Sequence, residues 1–317
     1  MIKPDFELLF PKPTFIVMVG LPGSGKSTIA KEIADKNPNT IILSSDTYRE
    51  TLCGDVTDQS KNELVFNTLY RDLMFYLMQG KNCIFDATNV TMKDRKRVLE
   101  VVKNLAVNKI AYFVDTPHDE CWERDKNRER TVGFGVIHKF LCRFQFPQKF
   151  EGFDQIVMHS KIGKKHEFDL VKSKKFIEMM DTKDQYNPHH IHTVGLHCRK
   201  LASQCKDDIM VEAGYFHDFG KLYTQRFDED GIAHYYNHDS VGTYFLATCP
   251  EVFNVTNWEE CYEVLFYINY HMRAHNDFKS EKAQRKYKLL FGEDRFNKLM
   301  EFGLYDRIAS GTYEGER

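Results

Sequence analysis

The sequence predicts a chain of two parts, an α/β unit with a parallel sheet and helices on both faces, followed by an all-α unit. Up to about residue 160, short apolar runs alternate with amphipathic helical stretches, a pattern typical of strand–helix–strand units. A glycine-rich segment, Gly20–Thr28, joins the first apolar run to the first helical stretch. After about residue 170 the pattern is helical, and nine of the 13 histidines lie between His189 and His275.

The length of 317 residues allows two separate hydrophobic cores. We predict a first domain at residues 1–165, a basic linker or helix at 166–184 and a second domain at 185–317. A net charge of −2 gives no overall attraction to a polyanion, so any nucleic-acid contact requires a local basic groove. Six lysines between residues 161 and 175 are candidates for such a track, and a solvated linker is the alternative.

The cysteines and the hydropathy pattern predict the cellular compartment. The eight cysteines form no C-x-x-C pair, which indicates reduced thiols rather than a disulfide framework. No apolar run approaches the ~18 residues that span a bilayer, and the first residues lack a signal-peptide core. We therefore expect a cytoplasmic protein that does not contact membranes.

Five strands and five helices are predicted for the first domain. The strands are at 14–19, 40–44, 82–86, 109–115 and 155–158, and the helices at 26–36, 59–79, 91–106, 117–130 and 136–145. In parallel sheets of this kind, ligands bind at the carboxyl ends of the strands. Functional residues are therefore expected directly after each apolar run.

The segment after the first strand fits the pattern G-x-x-x-x-G-K-[ST] in full. Its position between a strand and a helix predicts a phosphate-binding loop, because backbone N–H groups and the start of the helix attract anions. Lys26 is expected to reach the β- and γ-phosphates, and the Ser27 hydroxyl to bind Mg²⁺. The predicted nucleotide-binding residues of the loop are Gly23, Ser24, Gly25, Lys26, Ser27 and Thr28.

Charged residues follow the second and third strands. Asp46 and Arg49 are three residues apart and share a face if their segment is helical. The carboxylate can accept the proton of an attacking hydroxyl, and the guanidinium can clamp an acceptor phosphate. Asp86 ends the third strand, where it can hold Mg²⁺ through water or orient Ser27. Either aspartate can instead cap a helix.

A cation-rich segment, Arg124–Arg130, follows the fourth strand. Arginines in such a position can close over the nucleotide as a lid and neutralise the charge that develops on the transferred phosphoryl group. The acidic residues between them also fit a solvated helix.

Residues 14–160 resemble the P-loop kinase module of phage-type polynucleotide 5′-kinases and their bacterial relatives. The matching motifs are G-L-P-G-S-G-K-S-T, S-S-D-T-Y-R, F-D-A-T-N, K-N-R-E-R and the tail F-P…E-G-F-D. The resemblance implies ATP with Mg²⁺ at Lys26 and Ser27, Asp46 as the base on a 5′-hydroxyl, and Arg49 on the flanking phosphate of the acceptor.

The same resemblance implies Arg130 as the catalytic lid arginine and Arg124 near the nucleotide. The assignment among Arg124, Arg128 and Arg130 stays open. The acceptor also stays open, because this motif set occurs in small-molecule and nucleotide-sugar kinases as well.

His217 and Asp218 are neighbours at the end of a helical pattern, where both can ligate one metal, although a structural pair is the alternative. Residues 185–310 resemble the HD phosphohydrolase superfamily. The motifs are Y-N-P-H-H-I-H-T-V, H-C-R-K-L-A, H-D-F-G-K and L-Y-D-R-I-A. The resemblance implies the metal ligands His197, His217, Asp218 and Asp306, with His192 as the alternative to His197.

Two further histidines, His238 and His271, lie where two-metal members of that superfamily add ligands. Each can instead be a hydrogen-bonded core histidine. Lys221 is commonly a phosphate contact in the superfamily, and a solvated lysine is the alternative. The expected metals are Mn²⁺, Ni²⁺ or Co²⁺, which would activate water for attack on a phosphoester.

A phosphate-adding and a phosphate-removing domain in one chain need a shared substrate. The resemblances imply a nucleic-acid end-healing enzyme, with RNA favoured. It would phosphorylate 5′-hydroxyl ends with ATP and open or remove 2′,3′-cyclic or terminal phosphates, leaving ends for a separate ligase. The alternatives are a nucleoside or small-molecule kinase joined to an HD nucleotidase, and a nucleotide-gated regulatory protein. The sequence leaves the oligomeric state open.

Overall fold

The structure, a computed structural model, describes residues 12–188, 190–278 and 280–312. The first residues, which carried the expectation about a signal peptide, lie outside this range. The chain divides into two compact units. The first runs to Phe140 and resumes over Pro147–Lys164, and the second comprises Leu141–Phe146 and the chain from Lys165 onward. Among the described residues, no helix is long and apolar enough to cross a membrane.

The first unit is built on a five-stranded sheet, which confirms the predicted parallel α/β architecture. All its strand pairs are parallel, in the order β2-β3-β1-β4-β5. The strands are β1 (Thr14–Val19), β2 (Thr40–Ser44), β3 (Asn82–Asp86), β4 (Asn108–Phe113) and β5 (Gln155–Met158). Every residue of β1 is buried, as expected for a central parallel strand covered on both faces.

In the described part of the first unit, the sheet is accompanied by the α-helices α1 (Lys26–Lys36), α2 (Ser45–Cys53), α3 (Asn62–Met78), α4 (Met92–Val102), α5 (His118–Lys126) and α6 (Phe134–Leu141). Helix α1 packs its apolar side, including Ile29 and Ile33, against Ile16 and Met18 of β1. This packing fixes the start of α1 directly beyond the end of the central strand, where ligands bind in such folds.

Three predicted helices end four residues earlier in the structure, and one of them, predicted at 91–106, ends at Val102. The helix predicted at 117–130 ends at Lys126, because the Asp125 carboxylate accepts hydrogen bonds from the backbone N–H groups of Val132 and Gly133 and turns the chain back. The helix predicted at 136–145 starts at Phe134 and ends at Leu141. The segment that carries Asp46 and Arg49 is helical (α2), as their pairing on one face requires.

The second unit is mainly helical. Its helices are α7 (Leu170–Asp181), α8 (Val194–Ala202), α9 (Asp208–Phe216), α10 (Lys221–Thr224), α11 (His238–Thr248), α12 (Trp258–Asn276), α13 (Glu281–Phe291) and α14 (Glu293–Ala309). Helix α12 lies at its centre, since residues on all sides of the helix are buried. Asn269 on α12 binds the backbone of Phe144 and Phe146, which explains why residues 141–146 belong to this unit.

The prediction of an all-α second domain was wrong in one respect, because the unit contains a short antiparallel hairpin. Strand β6 (Arg226–Phe227) pairs with β7 (Ala233–His234). The Asp228 carboxylate accepts hydrogen bonds from the backbone N–H groups of Asp230 and Ile232, which closes the turn. Strands of two residues are too short to give an alternating pattern in the sequence.

Candidate active sites

The glycine-rich loop lies between β1 and α1, and two of its glycines adopt conformations that other residues rarely take. Gly23 has a φ of +81° and Gly25 a φ of +96°. A Cβ atom on Gly23 would lie 2.3 Å from the backbone oxygen of Cys121 on α5, so only glycine fits there. The loop is therefore held in one shape by its contact with α5.

Lys26 and Ser27 begin helix α1, and each has a defined partner. The Lys26 ammonium donates to the backbone oxygen of Leu21 at 2.8 Å. Burial lowers the pKa of Lys26 to about 8, an effect that Asp86 partly offsets, so the side chain is still mostly charged at pH 7. The Ser27 hydroxyl donates to Asp86 Oδ2 at 2.6 Å.

The structure distinguishes between the alternatives for Asp86. Helix α4, which follows β3, is capped by the Thr91 side chain, which accepts a hydrogen bond from the backbone N–H of Asp94. Asp86 is buried and bound to Ser27 instead. The carboxylate and the hydroxyl thus lie together beside the loop, as a Mg²⁺ site requires.

Asp46 and Arg49 lie on the same face of α2. Arg49 Nη1 is 3.2 Å from Asp46 Oδ1, and Arg49 Nη2 donates to Asn62 Oδ1 at 2.9 Å. The Arg49 side chain is buried, whereas 64% of the Asp46 side chain is exposed. Ser44, not Asp46, occupies the N-cap of α2. Asp46 therefore does not cap α2, and its carboxylate is paired with Arg49 but accessible to solvent. Asn62 carried no signal in the sequence.

The three arginines of the predicted lid lie in different environments. Arg124 Nη1 donates to the backbone oxygen of Ser24 in the loop at 3.0 Å. Arg130 Nη1 lies 3.7 Å from Asp46 Oδ2. Arg128 pairs with the buried Asp125. Arg124 thus contacts the glycine-rich loop, Arg130 lies near Asp46, and Arg128 pairs with Asp125.

In the second unit, the six predicted metal ligands converge from five regions of the chain. His197 lies on α8, His217 and Asp218 directly follow α9, His238 begins α11, His271 lies on α12 and Asp306 on α14. All six are buried. Within this set, two groups have ligand atoms within 4.8 Å of one another: His197, His217 and Asp306, and Asp218, His238 and His271. Among the described residues, a third group adds Cys198 to His217 and Asp218.

Asp218 faces both groups. Its Oδ2 atom is 3.3 Å from the Nε2 atoms of both His197 and His217. Its Oδ1 atom is 3.2 Å from Nε2 of His238 and 3.9 Å from Nε2 of His271. One carboxylate therefore offers an oxygen to each of two adjacent sites.

Backbone carbonyls orient three of the histidines. The Nδ1 atoms of His217, His238 and His271 lie 2.7–3.0 Å from the carbonyl oxygens of the residues three positions before them. A carbonyl only accepts, so each Nδ1 carries a proton, and a neutral imidazole at any of these positions presents its Nε2 lone pair to the cluster. The Nε2 atoms of His238 and His271 are 3.1 Å apart. Two lone pairs at this distance repel each other, and a cation between them would remove the repulsion.

The charged groups of the cluster shift one another's pKa values. Burial alone would lower the pKa of His217, but Asp218 raises it well above its ordinary value. Burial alone would raise the pKa of Asp218, but Lys221 and His217 hold it well below its ordinary value. Burial, together with His217 and His238, lowers the pKa of His271 well below its ordinary value. An ionised carboxylate and a neutral imidazole are the forms that bind divalent ions, so the residues present fit such a metal.

Of the two alternatives for the first histidine ligand, the structure brings His197 into the cluster, and His192 belongs to neither group. Lys221 is buried rather than solvated, and its Nζ lies 2.7 Å from Asp218 Oδ2 and donates to Gln185 Oε1 at 2.8 Å. His275 Nε2 lies 2.8 Å from Asp306 Oδ2.

Gln185 and His275 had no predicted role. The four-residue spacing from His271 to His275 on one helix face was a usable signal for the latter.

Comparison with known proteins supports the assignment of the first unit. Residues 15–147, less than half of the chain, match a family model described as an AAA domain. With its parallel sheet and glycine-rich loop, this unit is a P-loop kinase-like α/β domain. Among proteins of curated function, none is significantly similar to this chain.

Several solved structures are similar to the chain over part of its length. One is a chain of the Pnkp1/Rnl/Hen1 RNA repair complex, with 25% identity and a TM-score of 0.38 over 41% of this chain and 43% of that chain. Another is the Mycobacterium tuberculosis APS kinase CysC in complex with AMPPNP and APS, with 19% identity and a TM-score of 0.35. That match covers 47% of this chain and 90% of the CysC chain. A sugar kinase from Janibacter sp. HTCC2649 has 15% identity and a TM-score of 0.36, and the match covers 46% of this chain and 85% of the sugar kinase chain. The match spans less than half of the RNA repair chain.

Proposed function

We propose that this chain repairs broken nucleic-acid ends, with RNA as the favoured substrate. It would combine an ATP-dependent 5′-hydroxyl kinase with a metal-dependent 2′,3′-cyclic phosphodiesterase or phosphatase. The observation that carries the proposal is the presence, in one chain, of a phosphate-binding loop with a carboxylate–arginine pair and of a buried cluster of four histidines and two aspartates. RNA breaks that leave a 5′-hydroxyl and a cyclic phosphate need both chemistries, after which a separate ligase can join the ends.

In the kinase unit, the loop and Lys26 hold the phosphates of ATP, and Ser27 with Asp86 would hold its Mg²⁺. Asp46 accepts the proton of the attacking 5′-hydroxyl, for which its exposed carboxylate is available. Arg49 binds the phosphate that follows the acceptor nucleotide. Arg130 reaches the same region and neutralises charge on the transferred group.

In the second unit, Asp218 would bind two divalent ions, one with His197, His217 and Asp306 and one with His238 and His271. Such ions supply a water nucleophile at neutral pH and polarise a phosphoryl oxygen. Lys221 fixes the Asp218 carboxylate and adds positive charge beside it, which favours a bound phosphate.

The acceptor can be tested by transfer from γ-³²P-ATP to a 5′-hydroxyl oligoribonucleotide, its DNA counterpart, nucleosides, nucleoside 3′-phosphates and sugars. A charge-assisted hydrogen bond contributes ~1.5–3 kcal/mol, so we expect nucleoside 3′-phosphates to exceed nucleosides in kcat/KM by about 10- to 150-fold through Arg49. This advantage should disappear in Arg49→Gln. Faster phosphorylation of free nucleosides or sugars than of oligonucleotides would favour the small-molecule kinase alternative.

A further inference from the structure

Three exposed aromatic residues of the second unit lie on segments that are linked by hydrogen bonds to the candidate metal ligands or to their neighbours. The exposed fractions are 61% for Tyr186, 55% for Phe227 and 67% for Tyr236, and we call these residues the aromatic rim. The rings of Tyr186 and Phe227 meet edge to face, with centroids 5.6 Å apart. Tyr236 stacks parallel to His234, with an interplanar angle of 4°. The rim therefore offers flat apolar faces to solvent.

One side of the rim is connected to the cluster through Lys221. Tyr186 directly follows Gln185, whose side-chain oxygen accepts a hydrogen bond from the Lys221 ammonium, which in turn contacts Asp218. The backbone oxygen of Tyr186 accepts a hydrogen bond from Ala233 of β7 at 2.8 Å. Tyr186 also has a φ of +45°, which is uncommon for a bulky residue. These contacts define the backbone conformation at Tyr186, and the Tyr186 ring contacts Phe227.

The other side of the rim is connected through His238. The backbone oxygen of Tyr235 lies 2.7 Å from His238 Nδ1 and thereby orients this candidate ligand. The Tyr235 hydroxyl donates to the backbone oxygen of Gln185, and Tyr236 is the next residue. Gln225, two residues before Phe227, donates to the Tyr235 hydroxyl. The segments that orient the cluster therefore also carry the exposed rings.

From this continuity we infer that the aromatic rim binds the nucleobases next to the phosphoester that the metal cluster hydrolyses. Bases stack on aromatic side chains with little regard to sequence. A phosphorylated sugar or other phosphoester without a base has no aromatic ring that could stack on the rim. The inference rests on the proposed function and names the substrate class of the second site as the 3′ end of a single-stranded nucleic acid.

The charge around the rim indicates how it binds. The turn between β6 and β7 carries Asp228, Glu229 and Asp230, which repel phosphates. These three acidic residues outnumber Arg226 of β6, so we expect stacking rather than ion pairing to be the main attraction at the rim. The contribution of the rim to affinity should change little with salt concentration, unlike contacts between lysine or arginine and phosphate.

The test uses a 5′-phosphorylated tetraribonucleotide that carries 2-aminopurine at its last base and a hydrolysis-resistant 3′-phosphorothioate. We expect wild-type protein to quench the fluorescence, because 2-aminopurine is quenched when it stacks. Tyr186→Ala and Phe227→Ala should each weaken binding by about 5- to 150-fold and reduce the quenching. Phe227→Trp should preserve both.

A matched control is Phe75→Ala on α3, since Phe75 has the same exposed fraction as Phe227, 55%, and lies in the first unit. This variant should bind and quench like the wild type. Unchanged affinity and quenching in both Tyr186→Ala and Phe227→Ala would overturn the inference.

Hydrolysis assays on two substrates distinguish a failure of this inference from a failure of the proposed function. With Mn²⁺, Ni²⁺ or Co²⁺ added, the rim variants should lose kcat/KM on an oligonucleotide 2′,3′-cyclic phosphate and keep it on glycerol 1,2-cyclic phosphate. If the wild type hydrolyses neither substrate, the phosphoesterase proposal fails, whereas quenching that depends on Phe227 still supports the rim. If the variants hydrolyse the oligonucleotide as fast as the wild type, the rim proposal fails and the phosphoesterase proposal stands.

Discussion

Replacing Asp218 with asparagine is expected to abolish phosphoester hydrolysis while the kinase keeps its rate. The two Asp218 oxygens face different histidine groups, so one substitution removes a ligand from both. Metal activation contributes several kcal/mol to such reactions, which corresponds to a loss of about 10³-fold or more. Elemental analysis should show that the variant has lost bound metal, and cleavage of an oligonucleotide 2′,3′-cyclic phosphate should report the lost activity.

Two controls separate a lost ligand from a lost fold. Asp218→Asn leaves Lys221 buried without its carboxylate, which is destabilising. The double variant Asp218→Asn/Lys221→Met removes both partners and should recover thermal stability without recovering hydrolysis. Asp277→Asn, at an exposed aspartate that pairs with Arg273, should behave like the wild type. Full metal content and full hydrolysis in Asp218→Asn would contradict the proposed ligand set.

Replacing Asp46 with asparagine is expected to lower phosphoryl transfer by ~10²–10⁴-fold, the usual cost of removing a general base. ATP affinity should be nearly unchanged, because the nucleotide is held by the loop and Lys26 rather than by the exposed Asp46 carboxylate. Transfer from γ-³²P-ATP and equilibrium dialysis of ATP measure the two quantities separately.

Asp58→Asn provides the comparison, since Asp58 accepts a hydrogen bond from the Ser60 backbone and has no assigned part in the reaction. It should retain normal transfer. A nearly normal rate in Asp46→Asn would mean that Asp46 is not the base and that its contact with Arg49 is a surface ion pair.

The sheet and the loop were predictable because their signals are local. The buried runs of β1 and β3 and the glycines between β1 and α1 are adjacent in the sequence, and each has a distinct pattern. The end of α5 and the start of α6 were not, because the Asp125 carboxylate binds backbone groups seven and eight residues further along. The sequence gives no local signal for such a contact.

Beyond the neighbouring pair His217 and Asp218, the set of candidate metal ligands was predicted only through a family resemblance. Its ligands lie on helices that are distant in sequence, such as those of His197 and Asp306, and residue spacing alone cannot bring these together. The burial of Lys221 was not foreseen because lysines are usually exposed. Its carboxylate partner three residues earlier is the feature that makes burial tolerable. The aromatic rim was also hidden, since a sequence does not reveal which rings remain exposed after folding.

One measurement tests most directly whether a single chain serves both ends of a broken strand. A nicked RNA hairpin with a 5′-hydroxyl and a 2′,3′-cyclic phosphate lets both reactions be read from one gel. We expect wild-type protein to phosphorylate the 5′ end and open the cyclic end, and Lys26→Ala to lose only the first reaction, because it removes the charge that meets the β- and γ-phosphates. The proposal would be contradicted if the 5′-hydroxyl stayed unphosphorylated and the cyclic phosphate stayed closed while free nucleosides were phosphorylated efficiently.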